Sequence, residues 1–211
     1  MIVEDFPMFR EGITQLLGSV PGLLVVDSVG DERSARSSIR LHKPDLVLLD
    51  LMLGDVNSLP LITDLCREQP GLKILVFSML SESVYAERAL RAGAVGYLMK
   101  TAETSEVLQA LRSVLDGRVY LSPRIFVGLF RGLLHRSSLN QVPGAEGLSD
   151  RELQVFQLIG SGVPNRQISA QLGIGIKTVE THREHIKSKL GLHDSKGLVE
   201  AAELFINTLK P

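Results

Sequence analysis

Five residues of this chain combine the side-chain types needed for phosphoryl chemistry with one shared position, each standing where an apolar run ends. Glu4 and Asp5 follow residues 1–3, Asp50 follows residues 46–49, Ser78 follows residues 73–77 and Lys100 follows residues 95–99. Parallel strands would carry all five to one edge. Three carboxylates converging there repel one another, and a divalent cation relieves the repulsion; an all-oxygen donor set with open water positions suits Mg²⁺. A carboxylate beside such a cation can attack a phosphoryl donor, while a lysine pairs with one phosphoryl oxygen and a hydroxyl donates to another. Each residue also has a plainer reading, Asp50 as a loop-capping aspartate, Ser78 as a turn residue and Lys100 as a solvated lysine. Their recurrence at matched places favours Asp50 as a phosphoacceptor.

The elements that must position these groups alternate along the first half. Residues 46–49 form an uninterrupted apolar run, which has the length of a strand covered on both faces and lacks the polar face of a helix. Further strands are expected at residues 1–3, 23–26, 73–77 and 95–99. Helical spacing relates Phe9, Ile13, Leu16 and Leu17, with Pro7 suited to a first turn. It recurs over residues 31–42, 59–65 and 84–92, and again at Val107, Leu108, Leu111, Val114 and Leu115. Strands and helices in strict alternation imply a five-stranded parallel, doubly wound α/β sheet of flavodoxin-like type. The carboxyl edge of such a sheet is where ligands bind.

Composition narrows the setting. The chain has 211 residues and 44% hydrophobic content, enough for one large core or two modest ones. Net charge is −1 overall, but residues 1–116 hold 11 Lys/Arg against 16 Asp/Glu, while residues 117–147 hold 4 against 1 and residues 148–211 hold 8 against 7. An acidic first part thus joins a neutral to mildly basic second part, with domains expected at 1–116 and 148–211. The single cysteine, Cys66, excludes a disulfide framework and reads as a small core residue. With no leader and no apolar run of membrane-spanning length, a cytoplasmic protein without a membrane partner is expected.

Residues 117–147 are expected to form a linker, with a short helix over residues 123–134 and a polar tether over residues 136–147. Beyond it, Ser149 with Glu152 three residues on makes a capping box for a helix that Leu153, Phe156, Leu158 and Ile159 continue. Helices follow over residues 165–172, 176–190 and 195–205. Two helices joined by a tight turn inside a small all-α bundle form a helix-turn-helix, whose second helix lies in the DNA major groove. Residues 165–189 hold five Lys/Arg and two Glu, which concentrates positive charge there. His182 shares the apolar stripe of Val179, Ile186 and Leu190 and is read as a packing residue.

The segments IVEDFPMFREGI, LVLLDLML, VFSM and GAVGYLMK resemble, in order and spacing, the landmarks of a two-component receiver domain. Residues 148–205, LSDRELQVFQLIGSGVPNRQISAQLGIGIKTVETHREHIKSKLGL above all, resemble a LuxR-type DNA-binding domain. Together they resemble the NarL/FixJ class of response regulators. The resemblance implies that Asp50 is phosphorylated, and that Glu4, Asp5 and Asp50 hold Mg²⁺ with the backbone carbonyl of Met52. It further implies that Lys100 pairs with the phosphate and that Ser78 and Tyr97 are the switch pair. On the third helix of the second domain, Glu180, Thr181 and Glu184 would face bases, with Thr178 on the same DNA-binding surface, and Lys177, Arg183 and Lys187 would meet phosphates. The glutamates suit cytosine N4. Implied partners are a histidine kinase, paired DNA half-sites, a second copy of the chain and RNA polymerase. The chain departs from the family's pattern in a short first strand, in Glu-Asp for the commoner Asp-Asp, and in the loop GDVNS after Asp50. An aspartyl-phosphate phosphohydrolase would want a second acid two residues after the nucleophile, where this chain has Met52. A pseudo-receiver controlled without phosphate is the other alternative.

Overall fold

The computed structural model describes residues 1–54, 56–123, 125–127 and 145–209. The chain divides into two compact units, Met1–Leu129 and Phe130–Pro211. The first alternates β1 (Ile2–Val3), α1 (Pro7–Gly18), β2 (Ser28–Val29), α2 (Glu32–His42), β3 (Leu46–Leu49), β4 (Met52–Leu53), β5 (Val56–Asn57), α3 (Leu59–Glu68), β6 (Lys73–Ser78), α4 (Glu82–Ala92), β7 (Gly96–Met99) and α5 (Thr104–Leu115). Strands β2, β1, β3, β6 and β7 form one parallel sheet in that order. The order reverses between β1 and β3, so the switch point of the sheet lies between the acid pair and Asp50.

Period-two alternation explains the two faces. Ile2, Leu46, Leu48, Leu75, Phe77 and Leu98 share one core with Ile13 and Leu17 of α1 and Val107, Leu111 and Val114 of α5. Their neighbours Val47, Leu49, Ile74 and Val76 are equally buried and point to the opposite face. Burying each such side chain stabilises the unit by ~1.5–3 kcal/mol. Helix ends follow local chemistry: the Asp31 carboxylate accepts from the Ser34 amide to start α2, Pro7 stands in the first turn of α1, and Gly93 closes α4 with φ 113°.

Two features differ from the sequence reading. The second strand is Ser28–Val29, downstream of the apolar residues 23–26, because β1 offers two residues and its register takes both at Ser28 and Val29. Residues 23–26 form no strand, although Leu23 and Val25 still pack against the core. The GDVNS segment after Asp50 contributes to a small antiparallel hairpin, Met52–Leu53 against Val56–Asn57, which turns through Gly54 at φ 62°. Two-residue strands carry no periodicity, so nothing in the sequence announced it. The linker helix expected over residues 123–134 falls largely outside the described residues, of which Pro123 and residues 125–127 are helical.

The second unit holds α6 (Asp150–Gly160), α7 (Asn165–Gln171), α8 (Ile176–Leu190) and α9 (Ser195–Leu209), preceded by a 3₁₀ turn at Ala145–Gly147. Ser149 and Glu152 make both bonds of the capping box. Phe156 of α6 meets Phe205 of α9 with ring centroids 5.4 Å apart. At Gly160 a Cβ would collide with the Ala202 backbone, so the α6–α9 crossing depends on that glycine. Gly191, at φ 66°, ends α8 in the left-handed conformation. No helix of the described residues is long and apolar enough to cross a membrane.

Candidate functional site

The five strand-end residues singled out in the sequence meet at the carboxyl edge of the sheet. The ladder itself sets their spacing: the Asp50 amide donates to Val3 O and the Lys100 amide to Ser78 O, both at 2.9 Å. Asp50, Glu4 and Ser78 are buried. Lys100 Nζ lies 2.6 Å from both Glu4 Oε2 and Asp50 Oδ2, while Ser78 Oγ donates to Asp50 Oδ1 at 2.7 Å. The Met52 amide also reaches Asp50 Oδ1, at 3.2 Å. Both oxygens of Asp50 are thus engaged, one by the ammonium and the other by the hydroxyl and an amide.

The charges do not cancel. Glu4, Asp5 and Asp50 bring carboxylate oxygens within 4.8 Å of one another, and Lys100 offsets one negative charge of the three. Burial, reinforced by the Asp50 charge, pushes the Glu4 carboxyl above its ordinary pKa despite its bond to Lys100. For Lys100, burial favours the neutral form, but the hydrogen bonds to Asp50 and Glu4 outweigh it and hold the pKa above the ordinary value. The ammonium also sits 4.7 Å over the Phe9 ring. This residual negative charge on hard oxygen donors fits a divalent cation. Glu4, Asp5 and Asp50 are the residues that would hold it.

Three further groups shape the site; of these the sequence marked only Gly54, as the start of the GDVNS loop. Arg10 Nη1 donates to Glu4 O at 2.6 Å and to Asp5 O at 3.3 Å, clamping the acid loop from the first turn of α1. The Gly54 amide of the β4–β5 hairpin donates to Asp5 Oδ2 at 2.8 Å. The unusual loop is therefore tied to the acid pair. The Leu80 carbonyl accepts from Tyr97 Oη at 2.8 Å, which keeps Tyr97 turned inward and fully buried. Burial chiefly, with the nearby Tyr85, Asp50 and Glu82, drives the Tyr97 hydroxyl well above its ordinary pKa.

In the second unit, α8 presents Lys177, Thr178, Glu180, Thr181 and Glu184 on its exposed surface. Val179 and Ile186 are buried on the opposite side. Arg183 is half-buried and donates from Nη1 to Asn165 Oδ1 of α7 at 3.3 Å, so it ties the two helices together. Lys187 is mostly covered, with Nζ 2.9 Å from Glu184 Oε1. His182 faces inward: its Nδ1 is shielded from solvent without a hydrogen-bond partner, and burial lowers its pKa. Cys66, expected in the core of the first unit, is half-buried, and burial raises its thiol pKa.

The α8 surface rests on a buried carboxylate. Glu152 of α6 bonds Lys189 Nζ at 2.6 Å and the Ser149 amide at 2.7 Å. Burial raises its pKa, but Lys189 and Ser149 outweigh burial and hold it below the usual carboxylate range. A depressed folded pKa stabilises above the unfolded value and ceases to do so as pH falls through the folded one. Glu152→Gln should therefore cost the second unit about 1–3 kcal/mol at neutral pH, with the deficit shrinking in acid. Urea unfolding followed by circular dichroism at pH 7 and pH 3.5 checks this; an equal deficit at both would assign the effect to packing.

The comparisons with known proteins agree with this geometry. Residues 1–112 match the response regulator receiver domain family, and residues 146–202 match the LuxR family of bacterial regulatory proteins. The oxygen regulatory protein NreC of Staphylococcus aureus (strain JH9) is 32% identical over 206 residues, spanning 96% of this chain and 95% of that protein. The crystal structure of a LuxR-family two-component response regulator from Aurantimonas sp. SI85-9A1 superposes with a TM-score of 0.59 at 32% identity, covering 64% of this chain and 96% of that one. RcsB from Salmonella enterica serovar Typhimurium, bound to promoter P1flhDC in the presence of the phosphomimetic BeF3⁻, shares the fold with a TM-score of 0.56 at 22% identity, covering 95% of each chain. A receiver sheet with its acids, hydroxyl and lysine at one edge, followed by a LuxR-type helix-turn-helix, makes this chain a member of the NarL-type two-component response regulators, a transcriptional regulator with a receiver and a DNA-binding domain.

Proposed function

We propose that Asp50 accepts a phosphoryl group from a histidine kinase and that its phosphorylation controls DNA binding by α8. The observation that carries this reading is the pairing of the buried Asp50 carboxylate with Ser78 on one oxygen and Lys100 on the other. A carboxylate oxygen attacks phosphorus, the P–N bond to the donor imidazole breaks, and the imidazole nitrogen keeps the electron pair. Lys100 and Ser78 are within reach of the transferred oxygens and offset their charge. Mg²⁺, held by Glu4, Asp5 and Asp50 with the Met52 carbonyl, would supply the remaining charge neutralisation. Ser78 and Tyr97 act as the switch pair, and phosphate shifts a population of two arrangements rather than turning over a foreign substrate. The chain is in this sense a regulator and not an enzyme.

The receiver is assigned to residues 1–116, the linker to 117–147 and the DNA-binding domain to 148–211. Lys177, Arg183 and Lys187 serve phosphates, and Thr178, Glu180, Thr181 and Glu184 line the base-facing side. DNA is bound as paired half-sites by a homodimer in the cytoplasm, with RNA polymerase as the downstream partner. Support for the DNA contacts comes from the exposure of Lys177, Thr178, Glu180, Thr181 and Glu184 on α8 and from the promoter-bound relative. Incubation with acetyl phosphate and Mg²⁺, followed by intact-mass measurement, tests the site. One phosphoryl group is expected with Mg²⁺ and none with EDTA; incorporation that ignores the cation would count against the acid cluster as its site.

A further inference from the structure

The segment after α5 does not leave the receiver at once. Tyr120 lies beside β7 as an added parallel lane: its amide donates to Val95 O at 3.1 Å and its carbonyl accepts from the Tyr97 amide at 2.9 Å. Gly96 makes the approach possible, since a Cβ there would stand 2.9 Å from Tyr120 O and 3.2 Å from Tyr120 Cβ. Two side-chain bonds complete the fastening. Tyr120 Oη donates to Glu106 Oε1 of α5 at 3.3 Å, and Glu82 Oε1, in the first turn of α4, accepts from the Ser122 amide at 2.7 Å. The second is charge-assisted and is made at the threshold of the linker.

Glu82 is linked to Asp50 through the loop between β6 and α4. Asp50 Oδ1 accepts from Ser78 Oγ, the Leu80 amide donates to that same Ser78 Oγ at 3.4 Å, and the Leu80 carbonyl holds Tyr97 Oη. Glu82 follows two residues after Leu80, on the helix that this loop starts. Tyr97, whose ring the loop holds, is the residue whose backbone amide holds Tyr120. The β6–α4 loop thus reaches the same short segment by two routes, through α4 at Glu82 and through β7 at Tyr97. A glutamate in the first turn of a helix also complements the helix dipole, and that role alone would leave Ser122 without a bearing on Asp50.

We propose that Glu82 is the positioning residue that passes the state of Asp50 to the interdomain segment, by holding the Ser122 amide in one state and releasing it in the other. The inference rests on the phosphoacceptor reading above. When Ser78 turns from Asp50 towards a phosphoryl oxygen, it gives up its place under the Leu80 amide, the β6–α4 loop shifts, and the Glu82 carboxylate moves away from Ser122. The linker then loses one fastening at the point where it leaves the sheet, and its residues at Ser122 gain freedom.

Hydrogen exchange of the full chain, read on peptides covering residues 118–123, tests this with beryllofluoride and Mg²⁺ as the phosphoryl mimic and ¹⁹F resonance as the measure of its uptake. Loading should speed exchange at Ser122 by about tenfold, the loss of one charge-assisted hydrogen bond. Glu82→Ala should show that fast exchange without ligand and respond to loading by less than about twofold, with uptake at Asp50 unchanged. Glu82→Gln, which keeps an acceptor oxygen, should restore part of the protection. A merely structural Glu82 would raise exchange in the Ala variant and leave the response to loading at its full size, which would overturn the proposal. So would a wild-type chain that takes up beryllofluoride with no change at Ser122. A chain that takes up none overturns the phosphoacceptor reading, and this inference with it.

Discussion

Asp50→Asn should abolish phosphoryl uptake from acetyl phosphate, a loss of at least about 100-fold, because an amide lacks the nucleophilic oxygen on which the transfer depends. The substitution keeps the side chain's volume and its acceptor oxygen, so the Ser78 hydroxyl retains a partner. Lys100 loses one of its two carboxylates but keeps Glu4 at 2.6 Å. The removed charge also relieves Glu4, whose pKa the Asp50 carboxylate helps to raise. The lost ion pair and the relieved repulsion oppose each other, and net stability should change by no more than about 1–2 kcal/mol. Mass measurement and thermal unfolding of the same sample separate the two effects. A folded Asn variant that still gains a phosphoryl group would move the acceptor elsewhere.

On DNA, Lys177→Ala combined with Arg183→Ala should weaken binding about thirtyfold at 0.15 M salt. Each phosphate contact contributes about 0.9 to the slope of log affinity against log salt, equivalent to about fivefold at that salt, and two contacts multiply. The slope should fall by about 1.8, with little change in the sequence preferred. The two residues are not equivalent. Lys177 is exposed, so its loss should be purely electrostatic. Arg183 also bridges to Asn165 of α7, and its removal should lower the stability of the helix pair as well. Lys187, mostly covered and paired with Glu184, is expected to matter less than either. Titration of a selected DNA site over a range of salt measures all three; an unchanged slope in the double variant would remove these side chains from the phosphate contacts.

Much of this arrangement could be read before the fold was seen, and the reasons are local. Asp50, Ser78 and Lys100 each end an apolar run, so the strand that buries the run also delivers the polar residue to the edge. The capping box at Ser149 and Glu152 fixed the start of α6 from four residues alone. What escaped depends on pairings between distant segments. The second strand sits at Ser28–Val29 because β1 sets the register, whatever the hydrophobicity of residues 23–26. The hairpin after Asp50 and the lane at Tyr120 are too short to carry a period. That Glu4 and Asp50 share Lys100 is a tertiary fact, and so is the tie of Gly54 to Asp5. The acid pair and the GDVNS loop depart from the family's pattern in the sequence; in the structure Glu4 pairs with Lys100 and Gly54 bonds Asp5.

The two halves of the molecule carry different chemistry, an acidic, oxygen-lined site in one and a partly cationic helix surface in the other. Regulation depends on their connection. The most direct measurement of it is the DNA affinity of one preparation before and after phosphorylation by acetyl phosphate and Mg²⁺, on a site selected from random DNA, with Asp50→Asn alongside. Phosphorylation should tighten binding by about tenfold or more, within the range of ordinary allosteric coupling, and the Asn variant should not respond. A wild-type chain that carries phosphate on Asp50 and binds the same DNA with unchanged affinity would contradict it.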